Sequence, residues 1–151
     1  MKLHSNAFSE GGVIPEKYSR EGGNASPPLD WTDLPKNTQS LALVVDDPDA
    51  PGGDFVHWLV YNIPPEMNHF DEGAAAAMRL PDGMRQGKNG FGQTGYGGPQ
   101  PPSGAHRYIF HLYALDSKLD LPPGATRAQL DKAMQGHEIE ECSATGKYAK
   151  H

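Results

Sequence analysis

Four side chains that could do chemistry lie in or beside apolar stretches of this 151-residue sequence. His57 interrupts the run FVHWLVYNI, and His106 begins the run HRYIFHLYALD, with Tyr108 two residues later. Asp47 ends a third run, SLALVVDD. Polar groups in a protein interior need hydrogen-bond partners, so these side chains must satisfy one another or jointly bind a ligand.

Three kinds of site fit this set. An anion pocket requires only donors in a partly apolar cavity, and it is the interpretation that we favour. Two histidines and a carboxylate also form many zinc and iron sites. Ser103 near His106 supplies ingredients of a serine hydrolase, but the G-x-S-x-G motif is missing. We therefore predict no catalytic residue, no metal and no cofactor, with a weak hydrolase or metal-dependent enzyme as the alternative.

A glycine- and proline-rich stretch, GFGQTGYGGPQPPSGA (90–105), precedes His106. It contains the G-x-G-x-x-G pattern of dinucleotide-binding loops, which functions only where a strand turns into a helix. The prolines that follow exclude such a helix, and the aromatic residues Phe91 and Tyr96 argue against a flexible linker. Because glycine permits close backbone approach and proline fixes φ, we predict a loop of fixed shape that forms one wall of the site.

Three apolar runs predict the strands that hold these residues, at 40–47, 55–63 and 106–116. Successive side chains of a strand point to opposite faces. This alternation places His57 on the face that carries Phe55, Leu59 and Tyr61, and it places His106 on the same face as Tyr108. The sequence therefore predicts two strands that each present an imidazole from an apolar face.

Helix is predicted only near the C-terminal end. Thr126 and Gln129 form a capping-box pattern, and Gly136 lies where such a helix would end. A second short helix is predicted over EIEECSATG (138–146). With short strands and many turns elsewhere, the chain is predicted to be a single domain over residues 1–151, mostly β with peripheral α.

Composition limits the partners. The net charge of −6 and the lack of a lysine–arginine stripe argue against a nucleic-acid surface. No run approaches the ~18 apolar residues of a membrane span, and the N-terminus lacks the apolar segment of a signal peptide. Cys142 is the single cysteine, so no intrachain disulfide can form. We predict a cytoplasmic protein with no nucleic-acid partner and no membrane span.

Two blocks of the sequence, DDPDAPGGDFVHWLVYNIP and GYGGPQPPSGAHRYIFHLYALD, resemble the signature blocks of the phosphatidylethanolamine-binding protein (PEBP) family. These proteins are also called Raf kinase inhibitor-like proteins, and the bacterial and archaeal branch is the most similar. The similarity extends through FSEGGVIPEKYS, SPPLDW and GHEIEECSATGKY to nearly the whole chain. The resemblance implies a large central sheet, rich in antiparallel pairs, packed on a smaller sheet, with helices on the C-terminal side.

The resemblance also implies an anion pocket at one end of the large sheet. Carried over by position, its ligand-binding residues would be Asp47, His57, Gly98, Pro99, His106 and Tyr108. Asp49 would support the loop beside the pocket, and Arg107 would be structural.

The implied function is non-enzymatic binding of a small phosphorylated or carboxylate ligand, with regulation of a kinase or protease as a further role. Eukaryotic members carry a longer C-terminal segment near the pocket, and many bacterial relatives carry a cysteine where this chain has Arg20. A homodimer through Trp58 or Phe91 is weighed against burial of these rings in the core, which we favour.

Overall fold

The computed structural model describes residues 1–77 and 83–149, which contain eight β-strands and two α-helices. The strands are β1 (Lys2–His4), β2 (Leu29–Thr32), β3 (Ser40–Asp47), β4 (Phe55–Ile63), β5 (His69–Phe70), β6 (Arg85–Gln86), β7 (Ala105–Leu115) and β8 (Glu138–Ala149). The helices are α1 (Ala74–Ala77) and α2 (Arg127–Met134), and a 3₁₀ turn forms at Glu16–Tyr18. Neither α-helix in this part of the chain has the length and apolar character that crossing a bilayer requires.

The strands form two antiparallel sheets. The larger sheet has the order β6-β4-β3-β7-β8, and the smaller has the order β1-β2-β5. The prediction of a mostly β fold, with a large antiparallel sheet beside a smaller one, is confirmed.

β3 lies in the middle of the larger sheet, and all eight of its residues are buried. Leu41, Leu43 and Val45 face a first core, which also contains residues from every strand of the smaller sheet. Ala42 and Val44 face a second core, which is closed by residues of α2. The unbroken apolar run in the sequence therefore reflects a strand that is covered on both faces.

α2 begins at the predicted cap. The Thr126 hydroxyl accepts a hydrogen bond from the backbone amide of Gln129 (3.2 Å), and the Gln129 side chain accepts one from the Thr126 amide (2.9 Å). Gly136 follows the helix with φ = +83°, a conformation that favours glycine. The position of this helix was therefore readable from the sequence.

The second predicted helix, over 138–146, is wrong, because these residues belong to β8. β8 pairs with β7 along its whole length, from Leu115 opposite Glu138 to Ala105 opposite Ala149. The backbone groups on that edge of β7 need partners, and this requirement outweighs local helix propensity. Small residues at alternate positions in the second half of the segment, Cys142, Ala144 and Gly146, also fit a strand.

A β-bulge in β4 determines the direction in which the His57 side chain points. Val45 of β3 pairs with Trp58, whereas the next residue, Asp46, pairs with Val56, so His57 is an extra residue without a partner opposite. The prediction that simple alternation places His57 on the face of Leu59 and Tyr61 is wrong. Those two side chains lie in the second core, under α2. The ring of His57 lies instead against Tyr108, which belongs to the first core.

Candidate functional site

A cavity of about 190 Å³ lies at one end of the larger sheet, where β3 ends and where β4 and β7 begin. It is lined by Asp47, Ala50, Pro51, Phe55, His57, Phe91, Gln100, Pro102, His106 and Tyr108. The four polar residues singled out in the sequence thus meet around one cavity. Antiparallel pairing brings them together, because the end of β3 lies beside the starts of its two neighbours.

Asp47 fixes the orientation of His106. The imidazole Nδ1 donates to the carboxylate Oδ2 over 2.5 Å, and both side chains are at least nine-tenths buried. The other carboxylate oxygen, Oδ1, accepts the backbone amide of Asp49 (2.8 Å). Since a carboxylate can only accept, Nδ1 carries the proton, and Nε2 is the ring nitrogen left for the cavity.

His57 is held by the glycine-rich segment. Its Nδ1 donates to the carbonyl oxygen of Gly97 over 2.6 Å, which again leaves Nε2 for the cavity. Burial lowers the pKa of His57, and it outweighs the opposing effects of the Gly97 and Gly98 carbonyls and of Asp47. The lowered pKa favours the neutral imidazole.

The Tyr108 hydroxyl is the exceptional group of the site. Among the buried side-chain polar atoms of residues 1–77 and 83–149, it alone has no hydrogen-bond partner. Its ring packs edge-on against His57, with 5.1 Å between ring centroids. Burial raises the pKa of Tyr108, and the nearby charge of Asp47 raises it further, so the hydroxyl keeps its proton. A buried donor without a partner is costly, and such groups are rare in folded proteins.

Asp49 and Arg107 form a clasp beside the cavity. The Asp49 carboxylate accepts the Arg107 backbone amide (2.9 Å), Nε (3.0 Å) and Nη2 (2.9 Å). These hydrogen bonds hold the pKa of Asp49 well below its usual range. The clasp ties the loop after β3 to the start of β7, and neither residue lines the cavity.

Gly98 and Pro99 occupy a different place from the one inferred from the resemblance. The Gly98 amide donates to the Asn24 side chain (2.8 Å), so it is already engaged, and neither residue lines the cavity. A Cβ on Gly98 would lie 2.2 Å from the Tyr18 carbonyl oxygen. Pro99 accepts the backbone amide of Arg20 (3.0 Å). Both residues therefore join the glycine-rich segment to the turn at 18–24.

The glycine-rich segment is a wall, as its composition predicted, and its glycines make room for aromatic rings. A Cβ on Gly90 would lie 2.5 Å from the Phe55 ring, and one on Gly97 would lie 2.5 Å from the Phe91 ring. No helix follows the G-x-G-x-x-G pattern in this part of the described chain. The two aromatic rings form a pair with 4.8 Å between centroids and close the apolar side of the cavity.

Asn89 organises this wall, and the sequence analysis missed it. Its Nδ2 donates to the carbonyl of Gly95 (3.0 Å), and its Oδ1 accepts the amides of Phe91 (2.9 Å) and Gln93 (3.2 Å). An asparagine that precedes a glycine-rich turn is a recognised loop-stabilising signal. Gln100 and Pro102 were missed as lining residues as well, because nothing in their types or spacing indicates a site.

The rings of Trp58 and Phe91 and the possible metal ligands were also considered in the sequence. Trp58 is fully buried, and Phe91 lies under the guanidinium of Arg20. Within the described ranges, no cluster of three or more His, Cys, Asp and Glu side chains has the arrangement to hold a metal ion.

The chain is similar to known proteins over nearly its whole length. The sequence model described as phosphatidylethanolamine-binding protein matches residues 4–149. The UPF0098 protein of Methanothermobacter thermautotrophicus is 49% identical over 150 residues, which cover 99% of each chain. That of Pyrococcus abyssi is 45% identical over 150 residues, which cover 97% of this chain and 84% of the relative.

Solved structures agree. The crystal structure of a PEBP homologue from Chlamydia trachomatis superposes with a TM-score of 0.91 at 43% identity, over 99% of this chain and 97% of that one. Escherichia coli YbcL, described as a new member of the mammalian PEBP family, gives a TM-score of 0.92 at 33% identity, over 99% and 98% of the two chains. This chain therefore belongs to the phosphatidylethanolamine-binding protein family.

Proposed function

We propose that this protein binds a small anion, a phosphoryl or carboxylate group, in the cavity at the end of the large sheet. The observation that carries the proposal is the buried Tyr108 hydroxyl, which has no hydrogen-bond partner among the described residues. An oxygen atom of a bound anion would accept its hydrogen bond and remove the cost of leaving it unpaired.

The two histidines supply the remaining polar contacts. His106, backed by the Asp47 carboxylate, can carry a proton on both ring nitrogens and donate from Nε2 to the anion. His57 would take up a proton when a dianion binds, because negative charge nearby raises the pKa that burial has lowered. Anion binding is then coupled to proton uptake at His57.

The apolar walls favour binding of a compact anionic group. Phe55, Phe91 and Pro51 line the cavity together with the polar residues, and their apolar surfaces would keep water away from charged contacts. Charge-assisted hydrogen bonds are stronger where water is excluded. The walls also leave room for a small organic group attached to the anion.

We infer a non-enzymatic role. The cavity offers hydrogen-bond donors to an anion, and none of its lining residues is a recognisable nucleophile. The alternative, a weak hydrolase or metal-dependent enzyme, would use the same set of Asp47, His57 and His106. An esterase and phosphatase screen of the purified protein, with and without added metal, tests that alternative. Turnover that disappears in His57→Ala and His106→Ala would contradict the non-enzymatic role.

A regulatory partner remains a prediction from the family resemblance. A kinase or protease bound near the cavity would compete with the small ligand. Pulldown from a lysate, with and without millimolar phosphate, tests this role, and capture that phosphate does not reduce would contradict competition at the cavity.

The direct test is isothermal titration of the purified protein with inorganic phosphate and with acetate at pH 6. We expect saturable binding of phosphate that is lost in His106→Ala. His137→Ala is the matched control, because His137 is exposed, binds Asp116 and does not line the cavity. The proposal fails if neither anion binds the unaltered protein, or if His106→Ala binds as tightly.

A further inference from the structure

The guanidinium of Arg20 lies over the ring of Phe91, a residue of the cavity wall. The distance from the Arg20 Cζ atom to the ring centroid is 3.8 Å, which is a close cation–π contact. The other contacts of the Phe91 ring include the imidazole of His57, with 5.8 Å between centroids. One aromatic ring therefore separates this cation from the site.

The backbone of Arg20 is fixed before any ligand arrives. Its amide donates to the Pro99 carbonyl (3.0 Å), and the Tyr96 hydroxyl donates to the Tyr18 carbonyl (2.7 Å). The close approach of Gly98 to the Tyr18 carbonyl leaves no space between the two segments. A cation held in this way loses little conformational freedom when it binds a charge.

Arg20 also lacks an acidic partner. Arg107 and Arg127 form ion pairs with aspartates, whereas no carboxylate within residues 1–77 and 83–149 forms one with Arg20. Its neighbour Glu21 instead accepts a hydrogen bond from the Tyr148 hydroxyl (2.8 Å). In a protein with net charge −6, an unpaired and oriented guanidinium beside a cavity is available to an anion.

We propose that Arg20 is a specificity-determining residue that selects ligands with two or more consecutive anionic groups, such as an organic di- or triphosphate. This inference rests on the proposed anion site and extends it. The first phosphoryl group would occupy the cavity, and the next would pass Phe91 to meet the guanidinium. Arg20 does not line the cavity itself, so a ligand confined to it would not contact Arg20.

The test compares inorganic phosphate, pyrophosphate and tripolyphosphate by calorimetry with the full chain, in the presence of a metal chelator. We expect Arg20→Ala to leave phosphate affinity within about twofold and to weaken tripolyphosphate binding roughly tenfold, the effect of losing one charge-assisted contact. Arg20→Lys should recover part of this loss, because it restores the charge without the planar stack.

Lys17→Ala is the matched control, because Lys17 lies in the same turn but is already paired with Glu72 (3.0 Å). It removes the same charge and should change tripolyphosphate affinity by less than about twofold. The proposal is overturned if Arg20→Ala binds tripolyphosphate as the unaltered protein does, if it weakens all three anions equally, or if Lys17→Ala has the same effect. If the unaltered protein binds none of the three, the anion site itself is absent and both proposals fall.

Discussion

Asp46 and Asp47 are adjacent residues of β3, yet their carboxylates bind histidines on opposite faces of the larger sheet. Asp47 binds His106 in the cavity (2.5 Å), whereas Asp46 binds His111 (3.1 Å) and Arg127 of α2 (3.2 Å) on the other face. Burial tends to raise the pKa of Asp46, but the hydrogen bonds from His111 and Arg127 outweigh burial. The pKa of Asp46 is therefore lowered. One dipeptide thus combines a contact in the cavity with an anchor for α2.

This division predicts that an Asp→Asn substitution affects phosphate binding at one position and stability at the other. Asp47→Asn removes the carboxylate that orients His106, so phosphate affinity should fall roughly tenfold or more. Asp46→Asn is the control, because it should leave phosphate affinity within about twofold while lowering the free energy of unfolding by roughly 1–3 kcal/mol. Calorimetry and urea unfolding of both variants measure the two effects. Equal loss of phosphate affinity in both variants would contradict the division.

Tyr108→Phe should increase stability while weakening binding. The substitution removes a buried hydroxyl that has no partner, which relieves a cost of about 1 kcal/mol and should raise Tm by roughly 2–4 °C. The same hydroxyl is the proposed donor to the anion, so phosphate affinity should fall about threefold to tenfold. Thermal unfolding without phosphate and calorimetry with phosphate give the two quantities.

Tyr61→Phe is the control for that substitution. The Tyr61 hydroxyl donates to the Pro122 carbonyl and accepts the Ala125 amide (3.2 Å), so its removal should lower Tm. A Tm decrease in Tyr108→Phe as large as that in Tyr61→Phe would mean that the Tyr108 hydroxyl has a partner in solution.

Much of this fold is readable from the sequence, because its signals are local. The buried run at 40–47 identifies the central strand, and the Thr126 cap identifies the start of α2. The glycine- and proline-rich segment indicates a fixed wall next to the site. Each of these depends on the side chains of neighbouring residues in the chain.

The features that the sequence did not predict depend on contacts between distant segments. The bulge that turns His57 toward Tyr108 exists only in the register of β4 against β3. The β8 segment was predicted to be a helix because its small and polar residues form no apolar run. Alternate residues are buried only in its second half, at Ala144, Gly146 and Tyr148. The role of Gly98 follows from its contact with the Tyr18 carbonyl, which lies far away in sequence.

The lowered pKa of His57 predicts two pH dependences. Phosphate affinity should rise as pH falls from 8.5 to 6, because the bound anion favours the protonated imidazole that burial disfavours. The folding stability of the protein without ligand changes in the opposite direction, because it falls as the pH falls. The unfolded chain takes up a proton near pH ~6.5 and the folded chain does so only at lower pH, so His57 destabilises the fold progressively below that value.

His57→Gln isolates this group from the other histidines. Glutamine can still donate to the Gly97 carbonyl but does not titrate, so the difference in unfolding free energy between the two proteins should shift in favour of the variant on acidification. Urea unfolding at pH 7.5 and pH 5.5 measures this difference. A difference that does not change with pH would show that the pKa of His57 is the same in the folded and unfolded chains.

Gly98→Ala should be the most damaging single-methyl substitution in the wall. Its Cβ would lie 2.2 Å from the Tyr18 carbonyl oxygen, a backbone atom that cannot move without displacing the turn that carries Arg20. We expect a loss of about 1–3 kcal/mol of unfolding free energy or more, as for overpacked sites. Gly52→Ala is the matched control, since a Cβ there meets nothing within 4 Å and should be neutral or slightly stabilising. Urea unfolding of both variants checks the difference, and equal stabilities would show that the two segments are not in close contact.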